Sequence, residues 1–214
     1  MKAVLFDLDG TLLNTLEDIA NACNAALGRH GFPPHPATAY RYFVGDGVPT
    51  LISRVVPRGN HDVDTLANVA AAYREEYQRN WNVTTRPYDG IPELLEQLAH
   101  RGIALAVLSN KPDDFTRRCV DEFLPTGRFS IVQGACQAYP PKPDPAAALH
   151  IAAEVKLPAK EFAYLGDTDT DMKTAVAAGM FPVGVEWGFR TAKELTKSGA
   201  RLLLQSPGDL LNHL

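Results

Sequence analysis

Four short polar clusters in this chain combine side chains that could hold a metal ion and a phosphate. Asp7-Leu8-Asp9-Gly10-Thr11 closes an apolar run that starts at Ala3. Ser109-Asn110 follows the run Ile103–Leu108, and Lys142-Pro143 lies in the proline-rich loop Pro140–Pro145. Gly166-Asp167-Thr168-Asp169-Thr170-Asp171 ends the run Phe162–Gly166. Two aspartates one residue apart at a strand end cannot both sit dry and ionised without a cation or a proton. If Asp167 converges on them, the hard oxygen ligands suit Mg²⁺, with room left for waters and a phosphate oxygen. Lys142 and the donors of Ser109-Asn110 would neutralise the other phosphate oxygens, and Gly10 lets main-chain N–H groups turn toward the same anion. A carboxylate nucleophile beside a carboxylate acid/base, with Mg²⁺ and a lysine opposite, is equipment for phosphoryl transfer.

Each cluster alone has a plainer reading. Asp-x-Asp-Gly is often a turn whose carboxylates cap backbone N–H groups. Ser109-Asn110 is an ordinary loop pair, Lys142 a solvated lysine, and Gly166–Asp171 a turn with a negatively charged first helical turn. A calcium loop fails, because Met172 stands where the sharp-turn glycine belongs and Ala178 where the bidentate glutamate belongs. The order of all four, each behind its own strand, favours the chemical reading.

The elements that must position them follow from hydrophobic periodicity. Ala3–Leu8, Ile103–Leu108, Ser130–Gln133, Phe162–Gly166 and Phe181–Val185 have strand length, and helical patterns lie near 92–101, 112–124, 144–156 and 170–178. Runs buried on both faces and separated by helices predict a parallel sheet covered on both sides. Residues 16–82 break the rhythm with helical patterns at Glu17–His30, Gly47–Val56 and Val63–Asn80 and no strand. This predicts a core of residues 1–15 and 83–214 with a helical insert, 16–82, that would sit over the crevice at the strand ends. Ala200–Leu204 adds a strand-like piece, and Ser206-Pro207 reads as an N-cap with proline at the first helical position.

Composition narrows the partners. The chain has 214 residues, 21 Lys+Arg against 25 Asp+Glu, and a net charge of -4. No basic cluster exists to displace counterions, so neither nucleic acid nor an anionic membrane is an expected partner. No run approaches about 18 apolar residues, and the N-terminus turns acidic too early for a signal peptide. Cys23, Cys119 and Cys136 lack disulfide or metal-ligand spacing. A cytoplasmic protein, monomer or dimer, is expected, and none of the six histidines is assigned to metal.

On these residues the chain resembles the haloacid dehalogenase-like superfamily, in its phosphatase branch with a helical cap. Asp7-x-Asp9-Gly10-Thr11, Ser109-Asn110, Lys142 and Gly166-Asp167-x-x-x-Asp171 match the four family motifs in order and approximate spacing. The resemblance covers essentially the whole chain. It implies a three-layer α/β/α, Rossmann-like parallel-sheet core with an inserted all-helical cap. It makes Asp7 the nucleophile that forms an aspartyl phosphate and Asp9 the general acid, then base. Asp7, the Asp9 main-chain carbonyl and Asp167 would hold Mg²⁺, with Asp171 supporting the metal through water or a contact one layer out. Ser109 and Lys142 would grip phosphate, with Asn110 and Gly10 among the phosphate-binding residues.

Within the superfamily, Asp9 argues against the dehalogenases and the phosphonate-cleaving relatives. Ile19 and Asp46-Gly47-Val48 stand where phosphomutases usually carry a cap histidine and an arginine. The chain most resembles phosphoglycolate phosphatases. Phe43-Val44-Gly45-Asp46-Gly47 is similar to their substrate loop, making Gly45, Asp46 and Gly47 cap-loop candidates. Ser109-Asn110-Lys111-Pro112 and Val185-Glu186-Trp187-Gly188-Phe189-Arg190 are similar to the same group. Arg41 and Arg54 read as solvated helix arginines, with a substrate carboxylate as the alternative partner, Trp187 and Phe189 as packing residues rather than substrate contacts, and Arg190 as a surface cation. The expected activity is Mg²⁺-dependent hydrolysis of a small phosphorylated metabolite, 2-phosphoglycolate first. A phosphosugar phosphatase or phosphomutase is the alternative, and a non-catalytic phospho-ligand binding protein the third reading.

Overall fold

The computed structural model describes all 214 residues. The chain divides into two compact units, Met1–Leu13 with Pro87–Leu214, and Asn14–Arg86. The first unit is built on a six-stranded parallel sheet. In chain order it holds β1 (Ala3–Phe6), then, after the second unit, α5 (Ile91–His100), β4 (Ala104–Pro112), α6 (Asp113–Phe123), β5 (Ile131–Ala135) and α7 (Ala146–Glu154). It continues through β6 (Phe162–Gly166), α8 (Asp169–Ala178), β7 (Phe181–Val185), α9 (Ala192–Lys197) and β8 (Leu202–Leu204). Two short strands, β2 (Leu13–Asn14) and β3 (Arg86–Pro87), form a separate two-stranded sheet at the chain's two crossings.

The main sheet runs β5-β4-β1-β6-β7-β8. Every pairing is parallel, with Phe6 level with Val107 on one side and Leu165 on the other. Ala3 to Phe6 are all fully buried, as the continuous apolar run predicts for a strand covered on both faces. Ala3 and Leu5 pack with Ala106, Leu108, Phe162 and Tyr164 against Ala148 and Ile151 of α7 and Ala175 of α8. The strand order reverses between β1 and β6, and an open parallel sheet splays its carboxyl-end loops apart at such a point. Asp7 follows β1 and Asp167 follows β6, so the two aspartates flank that switch.

The second unit is helical, with α1 (Leu16–Arg29), α2 (Tyr40–Phe43), α3 (Val48–Val55) and α4 (Val63–Asn80). Its charged surface pairs Arg29 of α1 with Glu75 and Glu76 of α4. Asp18 is buried and collects four donors, the amide and hydroxyl of Thr84 (3.0 and 2.7 Å) and of Thr85 (2.9 and 2.7 Å). Burial alone would raise its pKa, but these donors together hold the carboxyl below its ordinary value. This clamp draws residues 83–86 into the helical unit, whereas the sequence pattern assigns them to the core.

Strand positions follow the sequence closely, because a run buried on both faces is an unambiguous signal. The sequence does not predict the short elements α2, α9, β2 and β3, which are too short to show a period. The last apolar piece does end in a strand, and Ser206 caps a short 3₁₀ helix over Pro207–Asn212 through a box with Asp209.

Candidate active site

Local backbone rules bring the motif residues to one end of the sheet. After β1 the chain turns sharply at Gly10, whose φ of +90° suits glycine. A Cβ at Gly10 would also lie 2.2 Å from Oδ2 of Asp167, so the turn approaches that carboxylate as closely as a bare backbone can. At the start of α8, Thr168 and Asp171 form a capping box. The Thr168 amide (3.0 Å) and hydroxyl (2.6 Å) both donate to Oδ2 of Asp171.

Asp7, Asp167 and Asp171 are buried together, with one carboxylate oxygen from each lying within 4.8 Å of the others. Lys142 is their counter-charge. Its ammonium reaches Asp7 Oδ1 at 2.8 Å, Asp171 Oδ1 at 2.7 Å and the Leu108 carbonyl at 3.0 Å, which uses all three of its N–H bonds. Burial would lower the Lys142 pKa, but the charges of Asp171 and Asp7 outweigh it and hold the group well above its ordinary value. Burial, reinforced by the charge of Asp171 and opposed by Lys142, raises Asp7 to about 7. Burial and the charges of Asp171 and Asp7 push Asp167 well above the usual carboxylate range.

These shifts describe a site short of positive charge. Three carboxylates face a single ammonium, and a divalent cation with a preference for oxygen would balance the remainder. The residues fit such an ion. Asp7 meets one donor, Lys142, and Asp167 meets only neutral ones, the Thr11 hydroxyl (3.0 Å) and the Phe189 amide (2.8 Å). Asp171 already has both oxygens engaged, by Lys142 and by Thr168, which suits a supporting position.

Asp9 stands apart from this cluster. Its carboxylate is met by Lys111, whose ammonium lies 2.9 Å from Oδ1 and 3.2 Å from Oδ2. The two aspartates of the first motif thus have separate lysines and separate surroundings.

The structure gives partners to three residues whose surroundings the sequence left open. Asn110, expected at the phosphate, uses its side-chain amide as a staple, donating to the Lys142 carbonyl (3.0 Å) and accepting the Lys142 amide (2.9 Å). It braces the lysine that faces Asp7. Arg190, expected as a surface cation, is buried, and its amide donates to the Asp167 carbonyl at 3.3 Å. Arg54 is an exposed arginine of α3, as expected, and pairs with Asp46 at 2.5 Å. In the cap-loop turn, between α2 and α3 of the helical unit, Gly45 (φ +127°) and Gly47 (φ +84°) shape the backbone. Trp187 packs as expected and also donates its indole N–H to the Thr11 carbonyl at 3.0 Å. Ser109 is buried and accepts the Lys111 amide at 3.2 Å, leaving its own O–H as a donor.

Sequence reasoning gives Lys111 no role, although its place two residues after Ser109 is a signal, since alternate strand positions share a face. The loop 187–189 carries no signal in its residue types. Only its folding against Asp167 makes it part of the site.

A parallel α/β fold that gathers buried carboxylates and a lysine at its topological switch has the equipment for phosphoryl transfer. Residues 4–185 match the family described as Haloacid dehalogenase-like hydrolase, and the chain belongs to that family. It is 30% identical over 98% of its length to a phosphoglycolate phosphatase of Pseudomonas putida, covering 78% of that protein. It is 31% identical to a phosphoglycolate phosphatase of Neisseria meningitidis, over 94% of this chain and 86% of that one. A solved structure from Lactobacillus delbrueckii subsp. bulgaricus, described as a candidate phosphoglycolate phosphatase, superposes with a TM-score of 0.94 at 27% identity, covering 99% of this chain and 97% of its own. No helix is long and apolar enough to cross a membrane.

Proposed function

We propose that the protein is a Mg²⁺-dependent phosphatase that hydrolyses a small phosphorylated metabolite, 2-phosphoglycolate first, through an aspartyl phosphate on Asp7. The observation that carries this reading is the division of labour within Asp7-x-Asp9. Asp7 lies among Lys142, Asp167 and Asp171, whereas Asp9 is held outside that cluster by Lys111. This difference in surroundings supports a reading in which one carboxylate attacks and the other moves protons. The names of the relatives from Pseudomonas putida and Neisseria meningitidis support the choice of substrate.

In this mechanism an Asp7 oxygen attacks phosphorus and the ester oxygen departs, taking a proton from the Asp9 carboxylic acid. Water then attacks the aspartyl phosphate, Asp9 accepts its proton, and phosphate leaves with Asp7 restored. Lys142 and the Ser109 hydroxyl stabilise the charge on the phosphoryl oxygens, while Asn110 keeps Lys142 in place. Asp7, Asp167 and the Asp9 carbonyl would hold Mg²⁺, with Asp171 supporting, and the ion would supply Lewis-acid stabilisation of phosphoryl charge. The helical unit acts as the cap that excludes water and selects small substrates, with Gly45, Asp46 and Gly47 in its substrate loop. A cytoplasmic location, with no nucleic-acid or membrane partner, completes the reading.

The test is a panel of phosphorylated metabolites assayed for free phosphate with Mg²⁺ and with EDTA. 2-Phosphoglycolate should have the highest kcat/KM, and Asp7→Asn should lose essentially all turnover. Full activity in EDTA or in Asp7→Asn refutes the mechanism. A hexose phosphate preferred tenfold or more refutes the substrate alone.

A further inference from the structure

The family motifs account for one lysine at this site, Lys142, and the structure holds two. Lys111 is buried, and a buried ammonium needs an anion. The anion it meets is Asp9, with both oxygens in reach. The Lys111 amide is anchored in turn on the Ser109 hydroxyl, and Thr116 donates its hydroxyl to the Lys111 carbonyl at 3.1 Å. The lysine backbone is therefore fixed through both its amide and its carbonyl, at the carboxyl end of β4. An aspartate side chain turns about two single bonds, and a carboxylate at a site edge is free to sweep unless something holds it. Asp9 is held at both oxygens from one side, by a side chain whose own base is tied to the floor of the site.

We infer that Lys111 is a positioning residue, holding the Asp9 carboxylate in the one direction from which it serves the leaving oxygen and, later, the attacking water. The inference rests on the proposed acid/base role of Asp9, and goes beyond it by naming the group through which that role is maintained. A plain structural role, neutralising a buried charge, would place the same two residues together. The two roles differ in what happens when Asp9 is already disabled.

The experiment uses the Mg²⁺-loaded full chain as wild type, Asp9→Asn, Lys111→Met, Lys111→Arg and the double variant Lys111→Met with Asp9→Asn. Three esters serve as probes, namely 2-phosphoglycolate, ethyl phosphate and p-nitrophenyl phosphate, whose phenolate departs without a proton. Lys111→Met should lower kcat at least tenfold on both alkyl esters, with a loss at least tenfold smaller in the pre-steady-state release of p-nitrophenolate. The double variant should be no slower than Asp9→Asn alone, because a residue acting through Asp9 has nothing left to act on. Lys111→Arg, which keeps the charge and the donors, should recover part of the loss. Equal losses on all three esters, or losses that multiply in the double variant, overturn the inference in favour of a structural role. A loss confined to 2-phosphoglycolate overturns it too, since Lys111 would then be pairing with the substrate carboxylate. If Asp9→Asn itself shows no dependence on the leaving group, the acid/base reading fails and takes the inference with it. If Asp9→Asn shows that dependence and Lys111→Met does not, only the inference fails.

Discussion

Adding one methyl group at Gly188 tests whether Asp167 owes its place to a bare backbone. A Cβ there would lie 2.2 Å from Asp167 Cβ, 2.5 Å from the Gly10 carbonyl oxygen and 2.7 Å from Asp167 Cγ. Ordinary contact begins at 3.4 Å, so the groups must part by about 1.2 Å. Neither side yields freely. The loop is tied to the site by the Phe189 amide on Asp167 (2.8 Å) and the Trp187 indole on the Thr11 carbonyl (3.0 Å). Asp167 itself directly follows β6, a strand paired on both sides. Gly188 has no left-handed φ, so alanine suits its backbone and the whole effect comes from crowding. Overpacking of this kind costs about 1–3 kcal/mol, or a Tm lowered by about 2–12 °C at this chain length. A carboxylate displaced by about 1 Å should lower kcat/KM on the order of 100-fold and raise the Mg²⁺ needed for half-maximal rate. The assays are thermal melts and Mg²⁺ titrations of phosphate release for wild type and Gly188→Ala. A variant that keeps wild-type kcat/KM and Mg²⁺ dependence would refute the argument that this loop sets the position of Asp167.

Gly28→Ala is the matching control, since Gly28 lies in α1 and an added methyl would meet nothing within 4 Å; it should stabilise by about 0.4–1 kcal/mol and leave kcat/KM unchanged. Asp18→Ala removes the acceptor of four donors and should cost about 3 kcal/mol, read as a lower Tm. Because the folded pKa of Asp18 is lowered, its contribution is complete above 3.8 and is lost as pH falls through the lower folded value, so wild type and Asp18→Asn should converge in acid. Asp7 shows the opposite sign. Raised to about 7 by burial and by Asp171, it makes the metal-free fold less stable as pH climbs from about 4 to 7. A bound cation displaces that proton, so the rise in Tm from EDTA to Mg²⁺ should be larger at pH 8 than at pH 5.5. In Asp9→Asn, p-nitrophenyl phosphate should release a burst approaching one equivalent of phenolate before a slow phase, and 2-phosphoglycolate should give no such burst.

The residue types and their order already determined the strands and the helical insert, and marked Asp7, Asp9, Ser109, Lys142, Asp167 and Asp171 as candidates for one site. Burial on two faces writes a continuous apolar run, and chemistry at strand ends writes polar residues directly behind it, so both are local signals. The tertiary structure decided how those side chains share their charges. The sequence placed Lys111 beside Ser109 but could not tell that its ammonium would reach from β4 to Asp9, beyond β1. It marked Asn110 as a donor but not that Lys142, 32 residues away, would consume its amide. Gly188 and Phe189 join the site only because β7 lies next to β6, which carries the loop beyond β7 onto Asp167. Hydrogen bonds and close approaches between distant segments depend on where the sheet brings strand ends together, and no residue type announces them in advance.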